Sequence, residues 1–214
     1  MSRRVKFHFF EAVDGGLASE VSSLPVVRLL LKDPRVDVTL ENHNGCTPLW
    51  WASREGNHQV VELLIASRRD LGDRMNKKGT WIDKDYTALE IARKYGKTEV
   101  VSLLERFKTN PTQTRHELRV KLGILDELAA EVFALTVFLC DDLLQLKPAS
   151  HPAVNPHPTA ATRFFIPAAK LPMELQMILC HFTVGSAKQN IRRQNSEAAF
   201  KSLARILLLS SLPK

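Results

Sequence analysis

The sequence predicts an all-α solenoid, in which pairs of short helices stack side by side, followed by a helical C-terminal extension. The main observation is a self-similarity, because residues 47–64 and 87–104 match in order and spacing. A third, partial copy lies upstream, where VVRLL at residues 26–30 precedes VVELL at residues 60–64. Such repetition is typical of stacked helical repeats, each of which needs its neighbours to bury its apolar face.

The central unit carries the signals of two short helices. Thr47 is a good N-cap, because its hydroxyl can accept a hydrogen bond from the first turn. Pro48 follows at the first helical position, where its missing N–H costs nothing. Gly56 suits the left-handed position that ends a helix. The second helix then presents a wide apolar face made of Val60, Val61, Leu63 and Leu64.

The next unit repeats this plan with a different start. Thr87 and Glu90 have the spacing of a capping box, in which each side chain bonds the other residue's backbone. Gly96 again separates the two helices. Upstream of the central unit, residues 9–15 predict a further short helix.

Residues 37–39 and 42–49 closely resemble the ankyrin repeat, which consists of a β-hairpin turn, an inner helix beginning Thr-Pro-Leu-His and an outer helix. The full match is residues 42–71, and the flanking units match in part, so that the resemblance covers about residues 5–107. It implies an ankyrin-repeat solenoid of about three repeats. It also implies a non-enzymatic adaptor or scaffold that binds a protein partner through its hairpin tips and inner-helix face.

The chain departs from the family pattern at several positions. Trp50 and Glu90 stand where the family usually has a histidine, and Asp85 replaces the turn glycine that Gly45 supplies in the central unit. The polar network between repeats must therefore differ. We expect both Trp50 and Trp51 to pack, one of them filling the space of the missing histidine.

The two matching units are 40 residues apart, about seven more than the usual period. The excess falls in residues 67–83, which in an ankyrin stack would extend a hairpin finger. Trp81 lies in this segment among polar and basic residues. It is a candidate anchor for a partner. The alternative, that Trp81 folds back onto the repeats, stays open at this point.

The resemblance also implies which residues contact a partner. In the central unit, the positions at the hairpin tip and inner helix are His43, Asn44, Cys46, Arg54 and Glu55. In the next unit they are Asp83, Lys84, Tyr86, Lys94 and Tyr95. This mixture of aromatic, charged and amide groups suits recognition, and the alternative is that each is an ordinary solvated residue.

Composition and charge bound the remaining possibilities. The 214 residues are 44% hydrophobic and 25% charged, and no apolar run is long enough to span a membrane. Three widely spaced cysteines predict reduced thiols without a disulfide framework. The reduced thiols indicate an intracellular protein, in the cytoplasm or the nucleus. We also expect a monomer. The net charge of +7 is concentrated after residue 162, where the chain has eight Lys or Arg residues and only two Glu.

The rest of the chain reads as three segments. Residues 108–146 predict a long helical segment packing on the last repeat, opened by a capping box at Thr114 and Glu117 and with a break expected near Gly123. Residues 147–162 contain four prolines and predict a linker. Residues 163–214 predict a small, basic, helical appendage.

We find no candidate catalytic, cofactor-binding or metal site. The seven histidines are scattered, without a pair at ligand spacing on one helix face. Gly15 and Gly16 lack the Lys-Ser/Thr that a phosphate-binding loop requires. An enzyme is thus the weakest hypothesis, and no small-molecule substrate is expected.

Two alternatives rest on the appendage. LPMELQMIL at residues 171–179 resembles the opening of an F-box, which would make the protein a substrate receptor of a ubiquitin ligase. The basic residues 188–205 could contact nucleic-acid phosphates. Few aromatic residues interleave with these charges, so a solvated cationic face is the preferred reading.

Overall fold

The computed structural model describes residues 23–33, 36–67, 76–144 and 160–211. The predicted helix at residues 9–15, the arginines Arg68, Arg69 and Arg74 of the expanded segment and most of the predicted linker lie outside these residues. The chain divides into two compact units, Met1–Leu122 and Gly123–Lys214.

The first unit contains six helices among its described residues, together with one β-hairpin. The helices are α1 (Ser23–Lys32), α2 (Pro48–Glu55), α3 (His58–Ala66), α4 (Ala88–Lys94), α5 (Thr98–Thr109) and α6 (Pro111–Lys121). The strands β1 (Gly79–Trp81) and β2 (Lys84–Tyr86) pair antiparallel, with Trp81 opposite Lys84.

The helices of this unit form two layers. The inner helices α2 and α4 pack on each other. In the outer layer, α3 packs on α1 and on α5, and α6 packs on both α3 and α5. The predicted all-α solenoid is therefore confirmed, with the β1–β2 hairpin lying between α3 and α4 in the chain.

The predicted helix ends are present. Thr47 Oγ1 accepts a hydrogen bond from the backbone N–H of Trp50, at 3.2 Å, and Gly56 ends α2 with a φ of 81°. In α4, Glu90 N donates to Thr87 Oγ1 and Thr87 N donates to Glu90 Oε2, so that the capping box is complete. These hydrogen bonds hold the pKa of the Glu90 carboxyl below its usual range, because the backbone N–H of Thr87 favours the charged form.

Helix α6 closes the outer layer by bonding the end of α3. Arg115 Nε donates to the carbonyl of Ile65, and Arg119 donates to those of Ala66 and Ser67. These are carbonyls that the end of a helix leaves without partners.

The predicted capping box at Thr114 is wrong. Helix α6 begins three residues earlier, at Pro111, because Asn110 accepts a hydrogen bond from the backbone N–H of Gln113 and proline is favoured at the first position. Thr114 is buried inside the helix, and its hydroxyl donates to the carbonyl of Arg106.

The second unit consists of four helices among its described residues: α7 (Ile124–Cys140), α8 (Ala160–Ala168), α9 (Met173–Thr183) and α10 (Arg193–Ser211). Helix α7 is central, since α8, α9 and α10 all pack on it. The predicted segment 108–146 thus corresponds to two helices, α6 and α7, in different units, with the left-handed Gly123 (φ 69°) between them. The other predicted domain limits stay predictions.

Candidate protein-interaction surface

The hairpin β1–β2 brings together side chains that are far apart in the sequence. Trp51 and Arg54 come from α2, Trp81 from β1, and Tyr95 from the residue that ends α4. The three rings surround the Arg54 guanidinium. We call the rings of Trp51, Trp81 and Tyr95 the aromatic box.

The Arg54 guanidinium carbon lies over each of the three rings. Its distance to the ring centroid is 4.0 Å for Trp81, 5.1 Å for Trp51 and 5.5 Å for Tyr95. All three distances are within the range at which a cation is attracted by the negative face of an aromatic ring. Glu55 forms an ion pair with the same guanidinium, so one carboxylate completes the surroundings.

The box rests on a buried tryptophan. Trp50 is 1% exposed, and its indole N–H donates to the carbonyl of Tyr86 at 2.8 Å. Its ring lies 5.5 Å from that of Trp51 and 6.2 Å from that of Trp81, measured between centroids. Trp50 therefore joins the inner helix to the following hairpin, as expected for a residue in place of the family histidine.

The turn at residues 42–46, at the position of a hairpin in the central unit, contacts β1–β2 directly. We call this turn the first hairpin and β1–β2 the second. In the first, Gly45 adopts a φ of 71°, and the side-chain oxygen of Asn42 accepts from the backbone N–H groups of Asn44 and Cys46. The backbone N–H of Thr80 then donates to the carbonyl of Asn44 at 2.8 Å. This bond sets the distance between the neighbouring hairpins.

The predicted set of contact residues is wrong at Cys46. It is fully buried, in a cluster with Trp50 and Ile91, because strand β1 packs over it. A β-carbon added at Gly79 would lie 2.6 Å from the Cys46 sulfur, so only glycine fits there without a shift. Burial raises the pKa of the Cys46 thiol from 9.0 to about 11. A buried, protonated thiol is not a surface for a partner.

The remaining predicted residues are accessible to differing degrees. His43, Asn44, Asp83 and Lys84 are exposed at the tips of the two hairpins. Tyr86 and Trp81 are half-buried. Next to the box, Lys94 Nζ donates to the Tyr86 hydroxyl at 2.9 Å and lies 4.4 Å from the centroid of its ring.

Two features of this surface were missed by sequence reasoning. Ile82 is 72% exposed at the turn of the second hairpin, where it and Asp83 both have positive φ values, 48° and 60°. Gly79 is required by the close approach of Cys46. The unusual glycine in the expanded segment was a usable signal, whereas the position of Ile82 depends on a register that the sequence alone does not define.

The second unit has a different accessible surface. Leu175, Ile178 and Phe182 of α9 lie on one face, because they are three and four residues apart, and all three are exposed. Leu171 precedes the helix and is exposed as well. We call these four residues the apolar stripe. The opposite face of α9, with Gln176 and Cys180, is buried.

Metal ligands and cysteine thiols are the side chains of most chemical interest among the described residues. They contain no group of three or more His, Cys, Asp or Glu side chains placed to hold a metal ion. Burial raises the pKa of the Cys180 thiol, as it does for Cys46, so neither thiolate is favoured. None of the described helices is long and apolar enough to cross a membrane.

Comparison with known proteins identifies the repeats. The family model for ankyrin repeats matches residues 16–114, in three copies. No curated protein and no solved structure matches the chain. Residues 16–114, a little under half of the chain, therefore carry three ankyrin repeats.

Proposed function

We propose that the protein is a non-enzymatic adaptor or scaffold that binds a protein partner through its two hairpin tips and the adjoining face of α2 and α4. Ankyrin repeats generally mediate protein–protein interaction. The observation that supports a site on this face is the aromatic box, since tryptophan, tyrosine and arginine are the residues most enriched in binding hot spots. A monomer in the cytoplasm or nucleus remains our prediction.

The surroundings of the box suit such a site. The exposed His43, Asn44, Asp83 and Lys84 form a polar rim next to partly buried aromatic rings. An aromatic centre with a polar, hydrated rim is the usual anatomy of an interface. The hydrogen bond between Thr80 and Asn44 holds the two tips in one arrangement, which lowers the entropy lost on binding.

The test is capture of partners by the full chain from a cell extract, followed by mass spectrometry. The double variant His43→Glu/Lys84→Glu changes one residue on each hairpin tip. The matched control, Lys108→Glu/His116→Glu, makes the same change in charge at exposed positions of α5 and α6. We expect the first variant to lose the captured proteins and the control to keep them. Equal losses, or none in either, would contradict the proposed surface.

A second candidate function is that of a ubiquitin-ligase substrate receptor, in which α9 docks on the ligase adaptor. The observation that favours it is the apolar stripe, because three apolar residues of the F-box-like segment, Leu171, Leu175 and Ile178, are exposed. Exposed contiguous apolar side chains are characteristic of binding sites.

Leu175→Asp should abolish capture of a ligase adaptor by the full chain, with the helix content unchanged. Met173→Asp is the matched control, since Met173 is exposed on the same helix but lies off the stripe. If wild-type protein captures no ligase component, this candidate is rejected, and the repeat surface stands alone.

A further inference from the structure

The cation in the aromatic box has too few hydrogen-bond acceptors. The Nε–H group of Arg54 is buried without a partner, and a terminal nitrogen pairs with Glu55. Aromatic faces attract positive charge but are weak hydrogen-bond acceptors. A buried donor without an acceptor is costly. The site therefore matches the positive charge of a guanidinium but does not supply all the hydrogen-bond acceptors that a guanidinium needs.

The walls of the box are held by contacts that do not involve Arg54. The indole N–H of Trp81 donates to the Tyr95 hydroxyl at 2.9 Å. The rings of Trp51 and Trp81 meet edge to face, with centroids 5.8 Å apart. The buried ring of Trp50 contacts both of these rings. These contacts remain when the guanidinium leaves, so the box is preorganised for a cation.

The box is also open to solvent on one side. The Arg54 side chain is 21% exposed, and Tyr95 and Glu55 lie at the rim. A flexible arginine side chain can therefore rotate outwards and be replaced by a ligand cation, without unfolding any helix.

We propose that the aromatic box is a binding site for a methylated ammonium group, which Arg54 occupies in the free protein. A quaternary ammonium has no N–H group that needs an acceptor, so it avoids the unsatisfied hydrogen bond of Arg54. An unmodified lysine ammonium is strongly hydrated and loses more on entering the box. Aromatic rings around a cation are the usual site for this chemistry. The Glu55 carboxylate, released from Arg54, adds complementary charge.

This inference rests on the proposed function in one respect: the group would be carried by a side chain of the protein partner, such as a methylated lysine. Choline is the small-molecule source of the same chemistry. The two sources differ in what surrounds the ammonium group, because a peptide can also contact the rim residues.

The test is a fluorescence titration of the full chain with choline and with 3,3-dimethylbutan-1-ol, its neutral isostere. All three tryptophans of the chain, Trp50, Trp51 and Trp81, belong to this cluster, so the intrinsic emission reports on the box alone. Arg54→Ala removes the resident cation. We expect this variant to bind choline at least about tenfold more tightly than wild type, since the ligand no longer competes with Arg54.

In Arg54→Ala, choline should also bind about tenfold more tightly than the neutral alcohol, whereas Arg54→Ala/Tyr95→Ala should lose this preference. Circular dichroism checks the fold of each variant, and the preference of wild type at higher ligand concentration is a second measurement that needs no substitution. A choline affinity equal to that of the alcohol in both wild type and Arg54→Ala would overturn the proposal.

A third arm separates the two sources. It uses a short peptide with one trimethyllysine and, as a control, the same peptide carrying unmodified lysine. If a protein supplies the group, the trimethyllysine peptide should bind more tightly than both the control peptide and choline. Equal affinity of peptide and choline would indicate the small molecule. Failure of all ligands, while the hairpin-tip variant still loses its partners, would overturn this inference alone. Choline selectivity with no loss of partners would instead overturn the proposed function.

Discussion

The two candidate surfaces are built from similar side chains in opposite ways. In the aromatic box, the two tryptophan rings are partly buried, Trp81 is hydrogen-bonded to Tyr95, and the three rings are arranged around a charge. In the apolar stripe, aliphatic and aromatic side chains stand in the solvent, and Phe182 is 79% exposed. The first arrangement discriminates by charge and geometry, whereas the second offers hydrophobic area to any partner with a matching groove.

Exposure and organisation are therefore separate properties of a surface. The box is organised because its residues also hold the repeats together, so changes near it should affect stability as well as binding. The stripe contributes little to its own unit, so changes there should affect binding alone. Predictions of stability therefore separate the two surfaces.

The largest effect is expected at Trp50. Trp50→Ala removes a fully buried ring and its hydrogen bond to the Tyr86 carbonyl, which should lower the free energy of unfolding by about 3–5 kcal/mol. Urea denaturation of the full chain, followed by circular dichroism, measures the change. A loss below about 1 kcal/mol would mean that the ring of Trp50, on which the box rests, is not part of the core.

The next largest effect is expected at Gly79. Gly79→Ala places a β-carbon against the Cys46 sulfur, and the forced shift between hairpins should cost about 1–3 kcal/mol of unfolding free energy. Gly96→Ala is an instructive control, because nothing lies near its added β-carbon and only its φ of 64° is strained. If Gly79→Ala costs as much in a Cys46→Ala background as in the wild type, contact with the Cys46 sulfur is not the cause.

The Cys46 thiol should make the free energy of unfolding depend on pH in the alkaline range. Its pKa is raised on folding, from 9.0 to about 11, so the neutral form is favoured in the folded protein. The resulting stability is complete below about pH 9 and is lost as the pH rises towards 11. Denaturation at several alkaline pH values should show a steeper decline for wild type than for Cys46→Ala.

A smaller effect is expected at the start of α4. Thr87→Ala removes the capping box and should cost about 0.5–2 kcal/mol of unfolding free energy. Because the same bonds lower the Glu90 pKa, this contribution is present above the ordinary carboxyl pKa and is lost as the pH falls through the lowered value. A Thr87→Ala penalty that is equal at pH 7 and pH 2 would contradict this assignment.

The smallest effect is expected on the stripe. Phe182→Ser changes a side chain that is mostly in solvent, so the free energy of unfolding should change by no more than about 0.5 kcal/mol. Thermal denaturation of the two proteins measures it. A large loss would show that Phe182 is a core residue and would remove the contrast between the two surfaces.

The sequence predicted the helix caps and helix ends, because these depend on residues that are close together in the chain. The caps at Thr47 and Thr87 and the end of α2 at Gly56 follow from short-range spacing, and the structure has all three. The box could not be predicted, because Arg54 and Trp81 meet only when β1 packs over Cys46. Transfer of contact positions from the family failed at Cys46 for the same reason, since the chain's own hairpin covers it.

The most direct test of the central claim is hydrogen exchange of the full chain with and without a captured partner. The proposed interface predicts slower exchange at the backbone amides of β1, β2 and the turn at residues 42–46, with α9 unchanged. Slower exchange confined to α9, with the hairpins unchanged, would contradict the claim that the repeats recognise the partner.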